Sequence, residues 1–447
     1  MRSSNYSPAG ERGLFRRDRR IYDQRGTFTF TIPDGVTKVW AFVIGAGGGG
    51  ARYGQADTQH DWGMVKAGCG GGYASGIISG LTPGGTLTAT IGNGGNGAFE
   101  NTAAVTGGNT TLAGGGTTYL QGNGGAGGSN TPVTSDPGNQ KGQGGSATTS
   151  SVTDAYTAAG GGNCTWPKGV GYTETTATTL SYVCGGGSSG TPWGTGNTCT
   201  MPVATKIIAT GGGGWCQDPG YRHAYILPWT SSGAAEYRMG EGSILSGMGS
   251  HHTTKQLLRG DFAGRGQGHK GGNGRTAKGG TALDMSWLNA TTGSSWQNYY
   301  IGNDVYPGLY PQQEADLQGQ MDGEDGNPNW WFPWEIDGGG GGSLNGSSGS
   351  THLMAGSGGP GAGGGGMGGY NSNTCMAHGG NGGFGGGGGS SRMGLTNIDY
   401  MGYSQGGHGG NGGGGGSAYG RIEARSGTTL YMPIGGNGGD GAIGIYW

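Results

Sequence analysis

The chain has 447 residues, a net charge of −2 and only 11 % charged residues, a balance that excludes nucleic acid as a general partner because neutralising phosphates needs an excess of clustered Lys and Arg. Its 118 Gly and 16 Pro lie in the range of low-complexity chains, yet 12 Trp and 21 Tyr are foreign to disorder, and the glycine falls in blocks separated by readable strands. The longest apolar run, "VWAFVI" (39–44), falls far short of the roughly 18 residues of a spanning helix, so no membrane insertion is expected.

Residues 1–25 stand apart, because "ERGLFRRDRRIYDQR" (11–25) concentrates arginine. It reads either as a solvated tail or as a segment that orders on an acidic partner, with Arg16, Arg17, Arg19 and Arg20 as docking residues. The first twenty residues hold no apolar core of a secretory signal, so an extracellular role is expected to be reached by a route other than the usual export, release by lysis being one alternative.

Strand signals begin at Gly26. In "TFTFTI" (27–32), Phe28, Phe30 and Ile32 alternate with Thr27, Thr29 and Thr31, which predicts a half-buried strand. Pro33-Asp34-Gly35 makes a turn, since Pro presets φ and Gly accepts a positive one. "VTKVWAFVI" (36–44) is apolar on both faces from Val39 on, as an interior strand would be. "YASGIIS" (73–79) and "TLTATI" (86–91) read as strands around "TPGG", with Leu87, Ala89 and Ile91 on one face. At the end of the sequence Ile443, Ile445 and Trp447 alternate again.

Between these strands recur "GNGGNG" (92–97), "GNGGAGG" (122–128), "GGPGAGGGG" (358–366), "GGNGGFGGGGG" (379–389), "GGHGGNGGGGG" (406–416) and "GGNGGDG" (435–441). The local period is three, Gly-Gly-X, with almost no Pro at X, so it is not collagen. Period three matches the extended threefold helix, which makes no internal hydrogen bonds and turns every N–H and C=O outward. Without a Cβ on two residues in three, neighbouring helices can approach until backbone bonds backbone. The predicted fold is therefore all-β with a polyglycine II helix bundle, strands at both ends of the glycine-rich region, long irregular loop insertions and little or no α-helix.

Catalytic motifs are not expected. G-x-G-x-x-G recurs only because glycine does, and no phosphate-binding G-x-x-x-x-G-K-[ST] is present. Adjacent His251 and His252 would face opposite sides of an extended segment. Asp322, Glu324 and Asp325 lack the closing Glu of a calcium loop and read as an acidic turn. Cys69, Cys164, Cys184, Cys199, Cys216 and Cys375 fit no zinc spacing; disulfides among Cys164, Cys184, Cys199 and Cys216 are one reading and unpaired buried thiols another. The expectation is no enzyme, no cofactor and no metal.

Large side chains crowd residues 287–334: Trp287, Trp296, Tyr299, Tyr300, Tyr306, Tyr310, Trp330, Trp331, Phe332 and Trp334. Such a cluster serves as a small core under long loops or as a contact surface. On the second reading Trp287, Trp296, Tyr299, Tyr300, Trp330, Trp331, Phe332 and Trp334 are receptor-contact candidates, because binding concentrates in loops on rigid scaffolds.

"GTFTFTIPDGVTKVWAFVIGAGGGG", "GYASGIISGLTPGGTLTATIGNGGNG" and "GGNGGDGAIGIYW", in that order, resemble the glycine-rich domain of bacteriophage tail fibre proteins. The resemblance covers residues 26–128 and 338–447, and in 129–337 only "IATGGGG" (208–214). The architecture is also similar to that of adhesins at the tips of phage long tail fibres. These resemblances imply four parts: a docking segment 1–25, a strand and glycine domain 26–128, a loop-rich insertion 129–337, and glycine blocks with a closing strand 338–447. They imply a virion protein of the tail fibre or adhesin type, assembled in the host cytoplasm, acting outside and binding a cell-surface glycan or protein. A purely structural virion component, such as a fibre shaft or head decoration, is the alternative. Other virion proteins would be partners, and fibres of this kind are commonly homotrimers.

Overall fold

The computed structural model of the chain describes residues 18–55, 63–99, 102–132, 143–162, 181–192, 195–196, 208–209, 212–214, 226–228, 236–238, 250–251, 344–347, 352–354, 357–358, 361, 363–364, 366–370, 374–394, 401–421 and 433–447. Among these residues every regular element is a strand and there is no helix. The first are β1 (Arg19–Tyr22), β2 (Gly26–Thr31), β3 (Lys38–Ile44), β4 (Arg52–Gln55), β5 (Gly63–Val65), β6 (Tyr73–Ser79), β7 (Thr86–Ile91), β8 (Thr110–Gly114) and β9 (Thr117–Gly122). Short strands follow: β10 (Asn130–Pro132), β11 (Ala147–Thr149), β12 (Thr153–Ala158), β13 (Ser181–Val183), β14 (Ile208–Ala209), β15 (Ile226–Pro228), β16 (Glu236–Arg238) and β17 (Ser250–His251). The last are β18 (Leu344–Ser347), β19 (His352–Met354), β20 (Met367–Tyr370), β21 (Thr374–His378), β22 (Ser391–Gly394), β23 (Met401–Gln405), β24 (Ala418–Arg421) and β25 (Ala442–Tyr446).

Two antiparallel five-stranded sheets, β1-β25-β3-β6-β12 and β11-β9-β8-β7-β2, form a sandwich. The alternation read from the sequence sets the inner faces. Phe30, Leu87, Ala89, Ile91, Leu112 and Leu120 from one sheet meet Val39, Ala41, Val43, Ile78, Ile443 and Ile445 from the other. β3 is buried on both sides, as its continuous apolar run predicts, and Phe42 and Ile44 point into a second cluster with Tyr73, Ile77 and Tyr446. The turns behave as their residues require, with Gly35 at φ 79° and Gly84 at φ 78°.

From the sandwich, glycine segments run side by side with no side-chain core between them. Segment 45–51 is enclosed by six others. Gly45, Gly48 and Ala51 donate their N–H groups to Gly72, Cys69 and Lys66; Ala46 and Gly49 donate to Gly108 and Val105; Gly47 and Gly50 donate to Gly439 and Gly436. In return Gly95 and Ala98 donate to the carbonyls of Gly47 and Gly50, Gly125 and Gly128 to Ala46 and Gly49, and Gly415 and Ala418 to Gly48 and Ala51. All thirteen bonds are 2.8–3.1 Å long, and each neighbour is met at every third residue. The packing leaves no room for side chains: a Cβ on Gly47, Gly48, Gly49 or Gly50 would fall on the carbonyl oxygen of Gly413, Ala126, Asn96 or Gly416.

Two glycine segments, 379–389 and 406–416, repeat one another. In 379–389 the chain runs toward the sandwich, turns at Phe384–Gly385 (φ 77° at Gly385) and returns, with Gly389 N–H bonded to Gly380 O. Segment 406–416 does the same, turning at Asn411–Gly412 (φ 75°), with Gly416 N–H on Gly407 O. Successive outgoing arms align in parallel. Gly379, Gly382 and Gly385 bond the carbonyls of Gln405, His408 and Asn411; Gly406, Gly409 and Gly412 bond those of Ile434, Asn437 and Asp440.

At the far end of the bundle the same segments feed short strands in parallel register, β18-β20-β22-β24-β4 and β19-β21-β23. β5 pairs there with β10 and β13. Part of the stretch expected to be loop insertion thus belongs to the scaffold, since β11 and β12 complete the sandwich and segments 143–146 and 184–190 join the bundle.

Candidate functional site

The molecule has two poles. The sandwich pole ends in β1, the outer strand of its sheet, where Arg19 lies opposite Tyr446 and Arg20 opposite Ile445. Trp447 donates its N–H to Asp18 O, so residues 18 and 447 meet at the tip. Tyr446 in turn lies opposite Trp40 on β3, ring centroids 5.3 Å apart. A cation, a phenol and an indole therefore stand in one row. Both predicted docking residues here, Arg19 and Arg20, are exposed, and the Arg20 guanidinium sits 5.7 Å from the Tyr22 ring centroid. Burial pushes the Tyr446 phenol up, with the Arg19 charge pulling in the other direction. Arg16 and Arg17 lie outside the described residues.

The opposite pole carries the parallel strands. Ala51, Val65, Val183 and Tyr419 pack together there, and Tyr53 stacks on Tyr419 at 5.7 Å. The strands that border residues 56–62, 133–142, 371–373, 395–400 and 422–432, which lie outside the described residues, gather at this pole. Phe99 and Val105, 44 % and 49 % exposed, are the large apolar side chains most open to solvent among the described residues. The aromatic candidates Trp287, Trp296, Tyr299, Tyr300, Trp330, Trp331, Phe332 and Trp334 lie outside the described residues, as do His252, Asp322, Glu324 and Asp325.

Between the poles, the X positions of Gly-Gly-X have a task beyond facing solvent. On the outer arms four of these side chains, Asn381, His408, Asn437 and Asp440, accept an N–H from a neighbouring segment. Asn381 Oδ1 takes that of His408 (2.8 Å), His408 Nδ1 that of Asn437 (2.9 Å) and Asn437 Oδ1 that of Gly97 (2.8 Å). One period along, Asp440 Oδ1 takes that of Gly94 (2.7 Å), while Asn411 Nδ2 donates to Asp23 O (2.7 Å), tying the bundle to the connection between β1 and β2. Accepting at Nδ1 requires a neutral imidazole, and burial holds His408 below the ordinary histidine range. Sequence reasoning misses this row of caps; the recurrence of Asn, His and Asp at every third position is its only trace there.

The bundle interior holds few reactive groups. Cys69 and Cys184 are buried, and Lys66 lies buried near both, its ammonium form disfavoured by desolvation and partly restored by the two thiols. Buried serines spend their hydroxyls on carbonyls: Ser390 on Val183, Ser391 on Ala377, Ser417 on Val65 and Cys184. Among the described residues no three His, Cys, Asp or Glu side chains gather as a metal site would need.

No curated protein matches the chain. The family described as a glycine-rich domain matches residues 23–214, which include β2 through β14 and the bundle segments between them. That part of the chain is thus similar to a glycine-rich domain, a description of composition and scaffold that brings no activity with it.

Proposed function

We propose that the chain is a bacteriophage virion protein of the tail fibre or adhesin type, with its glycine segments forming a polyglycine II bundle that separates an attachment pole from a display pole. The observation that carries this reading is polarity. Arg19, Arg20 and the residue-18 end of the described chain sit at the sandwich tip, while the strands that open into long segments gather at the opposite pole. The every-third-residue hydrogen bonding supports the helix assignment, because a threefold helix presents the same side to a neighbour once per turn. At ~3.1 Å per residue a seven-residue segment holds the poles roughly 22 Å apart. Such a spacer is stiff and nearly uncharged, and it lets the far segments vary without touching the core.

In this reading the arginine-rich segment, with Arg16, Arg17, Arg19 and Arg20, docks on acidic virion partners, and the distal segments contact a cell-surface glycan or protein. Purified full-length chain, added to bacteria before a phage whose particles contain it, is expected to bind host cells and slow adsorption. Equal binding to host and non-host cells with adsorption unchanged would overturn the adhesin role and leave a purely structural virion component. Replacing the four arginines with Ser is expected to lower incorporation into particles; normal incorporation removes the docking role.

A further inference from the structure

Four strands border the two antiparallel sheets of the sandwich, and three of them are shielded. β12 is bulged between Thr153 and Tyr156, beside Ser151 and Asp154 at positive φ of 54° and 49°. β11 is three residues long. β1 has four residues and carries the exposed Arg19 and Arg20. Charge, brevity and bulging are the devices that keep a sheet edge from pairing with another chain.

β2 has none of them. It runs six residues in unbroken antiparallel register with β7, from Gly26 opposite Ile91 to Thr31 opposite Thr86. It contains no charge, no Pro and no bulge. Alternate N–H and C=O groups of an antiparallel edge point away from its partner. Among the described residues no backbone hydrogen bond reaches the outer side of Thr27–Thr31.

We infer that β2 is an assembly edge that takes β2 of a second copy of this chain, the two strands antiparallel about a twofold axis near Thr29. The choice of a second copy follows from self-complementarity. A twofold through Thr29, midpoint of the alternating residues 27–31, sets Thr27 opposite Thr31 and Phe28 opposite Phe30. Every Thr then stays on the exposed face and every Phe on the core side, and Thr–Thr pairs are favourable across strands. A one-residue slip would put Phe against Thr and turn one copy's Phe side chains to solvent. On β1, by contrast, the exposed Arg19 and Arg20 would bring charge into the seam. Pairing through β2 joins the two five-stranded sheets into one continuous sheet with a shared threonine face formed by Thr27, Thr29 and Thr31 with Thr86, Thr88 and Thr90.

Sedimentation velocity of the full chain is expected to show a dimer through the micromolar range. Thr29→Lys, which sets like charges opposite each other on the twofold, is expected to leave monomer with an unchanged circular dichroism spectrum and melting curve. Thr29→Cys is expected to give a disulfide-linked dimer on oxidation, whereas the unsubstituted chain and Thr88→Cys, one strand further in on the same face, do not. A monomer at every concentration overturns the inference, as does an oligomer that Thr29→Lys leaves intact. Dissociation by Thr29→Lys without the Thr29→Cys cross-link overturns the twofold pairing and points to a different strand on this edge.

Discussion

The sandwich and the glycine bundle reach the same solidity by opposite routes. In the sandwich, large side chains such as Phe42, Leu87 and Leu112 remove apolar surface from water, and each fully buried one contributes roughly 1.5–3 kcal/mol. In the bundle nearly all the contact is backbone on backbone, and each lateral bond contributes a net ~0.5–1.5 kcal/mol. The difference teaches what each region tolerates. A side-chain core forgives exchange of one apolar group for another of equal volume. The bundle forgives nothing at its inward positions, because the space a methyl would need is already filled by a neighbour's carbonyl.

The largest expected effect tests the first route. Leu112→Ala removes a side chain with no solvent exposure from the centre of the sandwich, and about 2–5 kcal/mol of stability is expected to go with it in denaturant unfolding. Gly48→Ala adds one methyl in the bundle, onto the Ala126 carbonyl, and is expected to cost about 1–3 kcal/mol. Its signature in amide exchange is faster exchange in 66–72 and 122–128 with β3 and β7 unchanged. If the amides of 45–51 exchange quickly in the unsubstituted protein, the contrast between the regions collapses.

Asn437→Ala withdraws the cap from the Gly97 N–H and is expected to cost about 0.5–1.5 kcal/mol, with the exchange of that amide rising most. The smallest effect is in pH. His408 is held neutral in the folded chain and its proton affinity is lowered by burial, so the unfolded state protonates first as pH falls. Its contribution is complete above the ordinary histidine value, about 6.5, and is lost on going lower, with no loss on going higher. His408→Asn keeps an acceptor for Asn437 N–H, as Asn381 does for His408, and is expected to flatten the acid limb of the stability curve measured against the parent.

The strands with strong alternation are legible in the sequence alone: β2, β3, β6, β7 and β25 fall where Phe, Val and Ile alternate or run together. β8 and β9 are not, because Gly114, Gly115 and Gly116 between them look like another glycine block, while φ of 57° and 81° at Gly115 and Gly116 make a hairpin turn. β1 hides in a basic stretch, since its pairing depends on β25, more than 400 residues away. The far strands, such as "MGGY" and "AYGR", have no hydrophobic period, being aligned by the glycine segments that lead into them. Of the candidate site, clustered charge marks Arg19 and Arg20, but nothing local marks the row they form with Tyr446 and Trp40, because cross-strand neighbours depend on register.

The folded-back arms at 379–389 and 406–416 bear on how a molecule of this kind changes over generations. Each hairpin offers its successor the same row of donors and acceptors that it takes from its predecessor. Duplicating one such stretch of gene would widen the body by one layer, leaving its height and both ends as they were. Breadth is therefore a quantity that replication errors can tune, whereas height is fixed once for all layers together.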